Sequence, residues 1–216
     1  MKLLVYGALG WIGQQFCAYL QEKDIKYHCG EARVYNIIDV RKDIEKIKPT
    51  HILSLIGRTS GIYNCKIIGT IDYLEQPGKL QENIRDNLFS LISLALLCRE
   101  YNIHLTYVGT GCIFNYDTEH TTEKRYTEDD IPNFFGSSYT IVKGYTDQLM
   151  HLLTDTVLNL RIRMPISSQD HPRNFISKII SYDKICSSIT HFAKTCVIVD
   201  SLCPLLYMFS SNFFKL

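Results

Sequence analysis

The 216-residue chain has no excess of charge of either sign: 23 Lys and Arg stand against 22 Asp and Glu, a net charge of +1. A near-neutral chain gives no electrostatic case for nucleic acid or an anionic membrane as the main partner, although a local site can still hold a nucleotide-sized anion. No stretch approaches the ~20 apolar residues needed to span a bilayer. The opening MKLLVYG enters a strand pattern at once, without the apolar run and small-residue cleavage site of a signal peptide. None of the eight cysteines forms a C-x-x-C pair and no Cys/His cluster has zinc spacing, so no metal site is expected. Free thiols in a reducing, cytoplasmic compartment are the simplest expectation. Internal repeats and low-complexity linkers are also missing.

What is present is an ordinary globular composition, 46% hydrophobic and 21% charged, long enough for one α/β domain or one domain with a small appendage. KLLVY (2–6) reads as a strand stopped by Gly7, followed by helical spacing from Trp11 to about Lys23. IKYHC (25–29) and HILSLIG (51–57) read as strands, with a short helix over Val40–Ile47 between them. A loop-rich stretch from Gly57 to Gly78 holds four glycines, and one long helix is expected over Leu80–Tyr101. HLTYVG (104–109) is a strand, Tyr139–Leu153 a helix, and VLNLRIR (157–163) a strand closed by Pro165. Strands alternating with helices predict an α/β fold, a Rossmann-type doubly wound parallel sheet with helices on both faces. Residues 1–163 form the expected dinucleotide-binding domain and 164–216 a partial substrate-binding region. In the latter, Asn174–Tyr182 has helical spacing and Val197–Phe209 is apolar, as helix or strand.

Two motifs carry chemistry. GALGWIG places Gly7, Gly10 and Gly13 between a strand and a helix. A dinucleotide pyrophosphate needs this arrangement: a tight turn, close backbone approach, close helix–strand packing and the free N–H groups of a helix start. Gly7, Gly10, Trp11, Ile12 and Gly13 therefore form the expected cradle. The stretch that would meet the adenosine ribose is CGEAR, where Arg33 suits the 2′-phosphate of NADP(H) and Glu31 suits the 2′-hydroxyl of NAD(H). NADP(H) is preferred and NAD(H) stays open. The second motif is YTIVK, which puts Tyr139 and Lys143 on one helix face. An ammonium beside a phenol is expected to lower its pKa from the usual ~10, readying it to exchange a proton with a carbonyl oxygen. Alone, Y-x-x-x-K occurs by chance on many helices. Behind an N-terminal glycine motif, and with Thr110 closing an upstream strand, it is specific. Cys112, two residues beyond Thr110, reads by itself as a buried and inert thiol.

These features resemble the extended short-chain dehydrogenase/reductase superfamily. The motifs GRTSG, TIDYLEQPGKLQENIRDNL, NIHLTYVGTGCIF, PNFFGSSYTIVKG, LNLRIRMPISS and PRNFISKI resemble one branch of it. That branch comprises the nucleotide-sugar 3,5-epimerase/4-reductases, including viral single-domain versions, that convert UDP-4-keto-6-deoxyglucose to UDP-rhamnose. The resemblance runs from Met1 to about Tyr182, with an echo at Asp200–Pro204. It implies that Thr110, Tyr139 and Lys143 form the reductase triad, that Asn87 supports the lysine through water, and that the loop at Gly57 and Arg58 passes the cofactor. It places an epimerase base and acid on Cys112 and Lys178. Asn174 and Phe175 are implied on the substrate side, and Arg163 and Arg173, together with Arg161, could serve as donors to the UDP pyrophosphate or as surface charges.

The implied partner is a UDP-4-keto-6-deoxy-sugar, with no nucleic acid or membrane, and a homodimer is left open. The implied location is cytoplasmic, the host cytoplasm for a viral protein. Family members continue beyond the point where this chain stops, and SSITHFAKTC has no clear counterpart. The expectation is a shortened or frame-shifted end, with SSNFFKL exposing apolar side chains. Two readings stay open: an active epimerase-reductase, or an NADP(H)-binding regulatory subunit without turnover.

Overall fold

Side chains alternate across a strand, so β1 (Leu3–Tyr6) sends Leu4 and Tyr6 to one face and Leu3 and Val5 to the other. Leu4 and Tyr6 join a core with Val40 and Ile44 of α2 (Ile37–Ile47) and Leu91, Leu94 and Leu97 of α4 (Ser90–Glu100). Leu3 and Val5 join Trp11, Phe16 and Leu20 of α1 (Trp11–Glu22). A strand covered on both faces needs apolar residues throughout, which is why KLLVY reads as a continuous run. In this computed structural model, residues 1–121, 123–181 and the two-residue strand Val197–Ile198 are described.

β1 lies between β2 (Tyr27–Cys29) and β3 (His51–Ser54), and β6 (His104–Thr110) and β7 (Val157–Ile162) extend the sheet in the order β2-β1-β3-β6-β7, all parallel. The chain first moves left from β1 to β2 and then returns to the right, so the sheet is doubly wound. The reversal opens a crevice at the carboxyl ends of β1 and β3, where ligands bind in such sheets. α1 covers one face; α2, α4 and α5 (Ser138–Met150) cover the other.

Several boundaries differ from the sequence-based expectation for local reasons. α2 starts at Ile37, because the Asn36 side chain accepts from the Asp39 amide and caps it. The strand expected from Ile25 begins at Tyr27, because the Ile25 amide bonds to the Leu20 carbonyl and closes the end of α1. The glycine-rich stretch contains an antiparallel hairpin, β4 (Gly61–Tyr63) and β5 (Lys66–Ile68). Its turn residues Asn64 and Cys65 both have left-handed φ, 47° and 60°, as a two-residue hairpin turn requires. The single long helix is instead α3 (Leu80–Ile84), a π-helical segment over Arg85–Phe89, and α4. α5 begins with a capping box of Ser137 and Thr140 and ends in a 3-10 turn, His151–Leu153.

After β7, Met164 takes a left-handed φ of 49° and the chain leaves the main sheet. β8 (Pro165–Ile166) then pairs in parallel with β9 (Val197–Ile198), and α6 (Phe175–Ile180) is capped by Asn174. Apart from β9, the expected apolar element over Val197–Phe209 lies outside the described residues. No helix among the described residues is long and apolar enough to cross a membrane.

At the amino ends of the central strands, the His51 and His104 rings meet edge-on at 5.5 Å, and His104 Nε2 lies 3.0 Å from Thr106 Oγ1. Burial lowers both imidazole pKa values, that of His104 to about 4, with His51 adding to the effect there. The folded state thus favours the neutral rings. The stability this confers is complete above the unfolded histidine pKa of ~6.5 and is lost as pH falls from there toward 4. Thermal denaturation should show a melting temperature that drops between pH 7.5 and pH 5, by roughly 2–4 °C per kcal/mol lost. His104→Gln should flatten that drop; equal slopes in the variant and the parent would refute the assignment.

Candidate active site

The glycine loop is shaped by backbone contact. Gly7 has φ +84°, and a Cβ there would stand 2.8 Å from the Leu55 carbonyl carbon; a Cβ on Gly13 would stand 2.2 Å from the Gly7 oxygen. α1 begins at Gly10 with no side-chain cap. Helix geometry leaves the amides of Trp11, Ile12 and Gly13 without intrahelical acceptors, beside the positive end of the dipole. These residues therefore fit a dinucleotide pyrophosphate.

The neighbouring loops are held from below. The Asp43 carboxylate accepts from the Tyr6 hydroxyl and the Ala32 amide, both at 3.1 Å, which fixes the loop carrying Glu31 and Arg33. Glu31 and Arg33 themselves are exposed. Asn87, in the π-helical segment, clasps the loop after β3. Its Oδ1 accepts from the Arg58 amide at 2.8 Å, and its Nδ2 donates to the Arg58 carbonyl at 2.9 Å and to Asn83. The Arg58 guanidinium is neutralised by Asp86 and Glu82. The Asn87 side chain thus holds the loop at Gly57 and Arg58, and its carbonyl accepts from Thr146 at 2.7 Å.

At the carboxyl end of β6 the reactive side chains converge. Thr110 Oγ1 accepts from the Cys112 amide at 3.1 Å, and the Thr110 side chain lies close enough to the Tyr139 phenol to lower its pKa. Cys112 is half-buried and close enough to Tyr139 to act on it electrostatically. Lys143, 4% exposed, donates to the Tyr107 hydroxyl. The expectation that Lys143 lowers the Tyr139 pKa is corrected here. Burial pushes the phenol up, Cys112 adds to this, and only the Thr110 side chain opposes it. The ammonium is turned toward Tyr107 instead. Burial also brings the Lys143 pKa down to about 8, against the opposing pull of Asp147.

Tyr139 is positioned by a segment far away in sequence. The Glu75 carboxylate accepts from the Ser138 amide at 3.0 Å, the Ser138 hydroxyl at 2.9 Å and the Tyr139 amide at 3.2 Å. Asn83 donates to Ser138 Oγ, and Tyr73 and Leu74 pack with the Tyr139 ring. Glu75 lies within the stretch TIDYLEQPGKLQENIRDNL, but nothing local assigns its carboxylate to α5, so sequence reasoning missed it; Tyr107 was missed because a strand tyrosine reads as core.

The remaining candidates divide. Arg163 lies beside Gly111, and its buried Nε has no hydrogen-bond partner among the described residues. Arg161 is occupied by Asp147 and by the carbonyls of Thr127, Glu128 and Asp130, so it holds structure and is not free for pyrophosphate. Arg173 donates to Ser60 Oγ at 2.9 Å. The Asn174 side chain is used internally, donating to Ser167 and Gln169 carbonyls and accepting from the Ile176 amide. Phe175 and Lys178 sit half-buried on α6, and among the described residues no hydrogen bond joins Lys178 to Cys112. The loop before α6 reaches the glycine cradle: His171 stacks on Trp11 at 5.2 Å and Ser167 donates to Gln15.

Known proteins share sequence and architecture with this chain. A family model described as RmlD substrate binding domain matches residues 1–188. The uncharacterized protein L780 of Acanthamoeba polyphaga mimivirus is 46% identical over 213 residues, 98% of this chain and 71% of that protein. The crystal structure of the L780 UDP-rhamnose synthase from that virus matches with a TM-score of 0.88 at 44% identity, over 99% of this chain and 72% of that one. A trifunctional UDP-glucose 4,6-dehydratase/UDP-4-keto-6-deoxy-D-glucose 3,5-epimerase/UDP-4-keto-L-rhamnose-reductase of Arabidopsis thaliana is 35% identical over 95% of this chain, which spans 29% of the plant protein. A bifunctional dTDP-4-dehydrorhamnose 3,5-epimerase/reductase of the same plant is 35% identical, with 64% of its length spanned.

Replacing Glu75 by Ala should cost about 1 kcal/mol, as loss of a helix cap does, and Glu75→Gln should recover part of it. Denaturant unfolding of the two variants checks this; an unchanged midpoint in Glu75→Ala would remove Glu75 from the α5 cap.

Proposed function

Since the chain belongs to the RmlD substrate-binding-domain family, we propose that it is a UDP-4-keto-6-deoxy-D-glucose 3,5-epimerase/4-reductase that makes UDP-rhamnose. The observation that carries this reading is the convergence of Thr110, Cys112 and Tyr139 at the end of β6, with Lys143 one helical turn from Tyr139.

The Gly7–Gly13 cradle and Arg33 would hold NADPH, which would supply the hydride for C4. The protein's own residues do the rest. Thr110 and Tyr139 hydrogen-bond the C4 carbonyl oxygen of the sugar. A C4 ketone acidifies the hydrogens on C3 and C5, and removing either leaves enolate charge on the oxygen these two side chains hold, where stabilisation counts most. Cys112 takes that proton and Lys178 returns one to the opposite face, inverting the carbon. Tyr139, kept protonated at neutral pH by its burial, then gives its proton to O4 as C4 is reduced. Lys143, with a pKa of about 8, is still largely an ammonium at pH 7 and supplies positive charge to this end of the site. The guanidinium groups of Arg163, whose Nε has no hydrogen-bond partner among the described residues, and of Arg173 would offer donors to the sugar nucleotide.

The decisive experiment mixes the purified protein with NADPH and UDP-4-keto-6-deoxyglucose and looks for UDP-rhamnose. NADPH binding without product would move the assignment to a non-catalytic, cofactor-binding protein. In D2O, Cys112→Ala should lose deuterium uptake at C3 and C5 while retaining NADPH binding; undiminished uptake would exclude the thiol as base. Tyr139→Phe should lose at least ~100-fold in NADPH oxidation, the low end of what a general acid contributes, while exchange partly survives. Normal oxidation by that variant would exclude Tyr139 as the acid.

A further inference from the structure

We propose that the Tyr107 hydroxyl positions the Lys143 ammonium, making Tyr107 a positioning residue of the site; this rests on the reading of Tyr139 and Lys143 given above. An ammonium at 4% exposure cannot rely on water and must find acceptors in the protein. Among the described residues its hydrogen-bond partner is the Tyr107 oxygen, with the ammonium beyond the hydroxyl end of the ring. The Tyr107 oxygen therefore offers a lone pair to the buried cation. The other ionisable groups near this pair are Tyr139 and Asp147, both from α5.

Three features suit Tyr107 to the task. Its ring is 1% exposed, in the core shared by Leu105, Leu94 and Met150, so the hydroxyl cannot swing away. Gly109 presses the ring edge from the strand, where a Cβ would come within 3.2 Å of Tyr107 Cε1. Burial pushes the Tyr107 phenol well above its ordinary range, so it stays neutral and its oxygen remains an acceptor. Tyr107 takes one of the three ammonium donors. The other two would remain for a cofactor bound in the site, which the ammonium would also meet with its charge.

The test reads Lys143 directly and needs no sugar. Protein carrying 13Cε-lysine is titrated by NMR, with Lys143→Arg identifying the resonance. In the parent, Lys143 should titrate near 8. In Tyr107→Phe, which keeps the ring and removes the acceptor, the transition should move down by about one pH unit, the effect of taking one hydrogen bond from a charged group. NADPH fluorescence titration at pH 8.5 should then show binding weakened roughly fivefold or more, from the smaller ammonium fraction, with little change at pH 6.5. A titration and an affinity that both match the parent would overturn the proposal. If Tyr107→Phe does not fold, 13Cζ-tyrosine in the parent reads the same contact. The Tyr107 resonance should shift through the Lys143 transition, and a silent Tyr107 would overturn it. A parent that shows these signals but makes no UDP-rhamnose would refute the proposed reaction and leave this inference standing.

Discussion

A positive charge buried between β6 and α5 is the constraint around which the site is organised. Lys143 can remain charged there only if the protein replaces the water it has lost. Tyr107 and Asp147 do so, one by hydrogen bond and the other by field. Asp147 is itself held by Arg161 and Asn159 of β7. The charge thus ties the strand that ends in Thr110 to the helix that carries Tyr139, and it links both to β7. A shift of α5 along β6 would separate the reactive side chains and strand the ammonium at the same time.

The segment from Tyr73 to Asn87 serves three partners at once. Glu75 caps α5, Asn83 reaches Ser138, and Asn87 clasps the amide and the carbonyl of Arg58. The π-helical segment at Arg85–Phe89 places Asn87 among these contacts. One extra residue in a helical turn rotates the turns beyond it, so α4 can pack its Leu91 and Leu94 on the sheet while Asn87 faces the loop after β3. The cofactor loop and the catalytic helix are in this way referenced to the same short stretch of chain. The loop before α6 adds a second connection, stacking His171 on Trp11 and linking Arg173 to Ser60.

Local signals carried much of this in the sequence. GALGWIG is decided within seven residues, because a positive φ at Gly7 and the close approach at Gly13 leave no room for another side chain. The two-sided burial of β1 appears as an unbroken apolar run, and Y-x-x-x-K declares its own face by helical spacing. Signals were weak where an unusual residue did the work. The hairpin at Asn64–Cys65 has left-handed residues without glycine, and the π-helical segment leaves the apolar periodicity of its helix nearly undisturbed.

The sequence by itself thus determined the doubly wound order of elements, the glycine cradle and the pairing of Tyr139 with Lys143 on one helix face, since each depends on residues within a turn or a strand of one another. Only the tertiary structure decided where the lysine points, which carboxylate caps the catalytic helix, and that Arg161 is spent on Asp147 and loop carbonyls. Those outcomes depend on groups 14 to 64 residues apart, brought together by sheet packing and chosen by the need to satisfy every buried polar atom. That requirement has no period along the chain and leaves no motif to read.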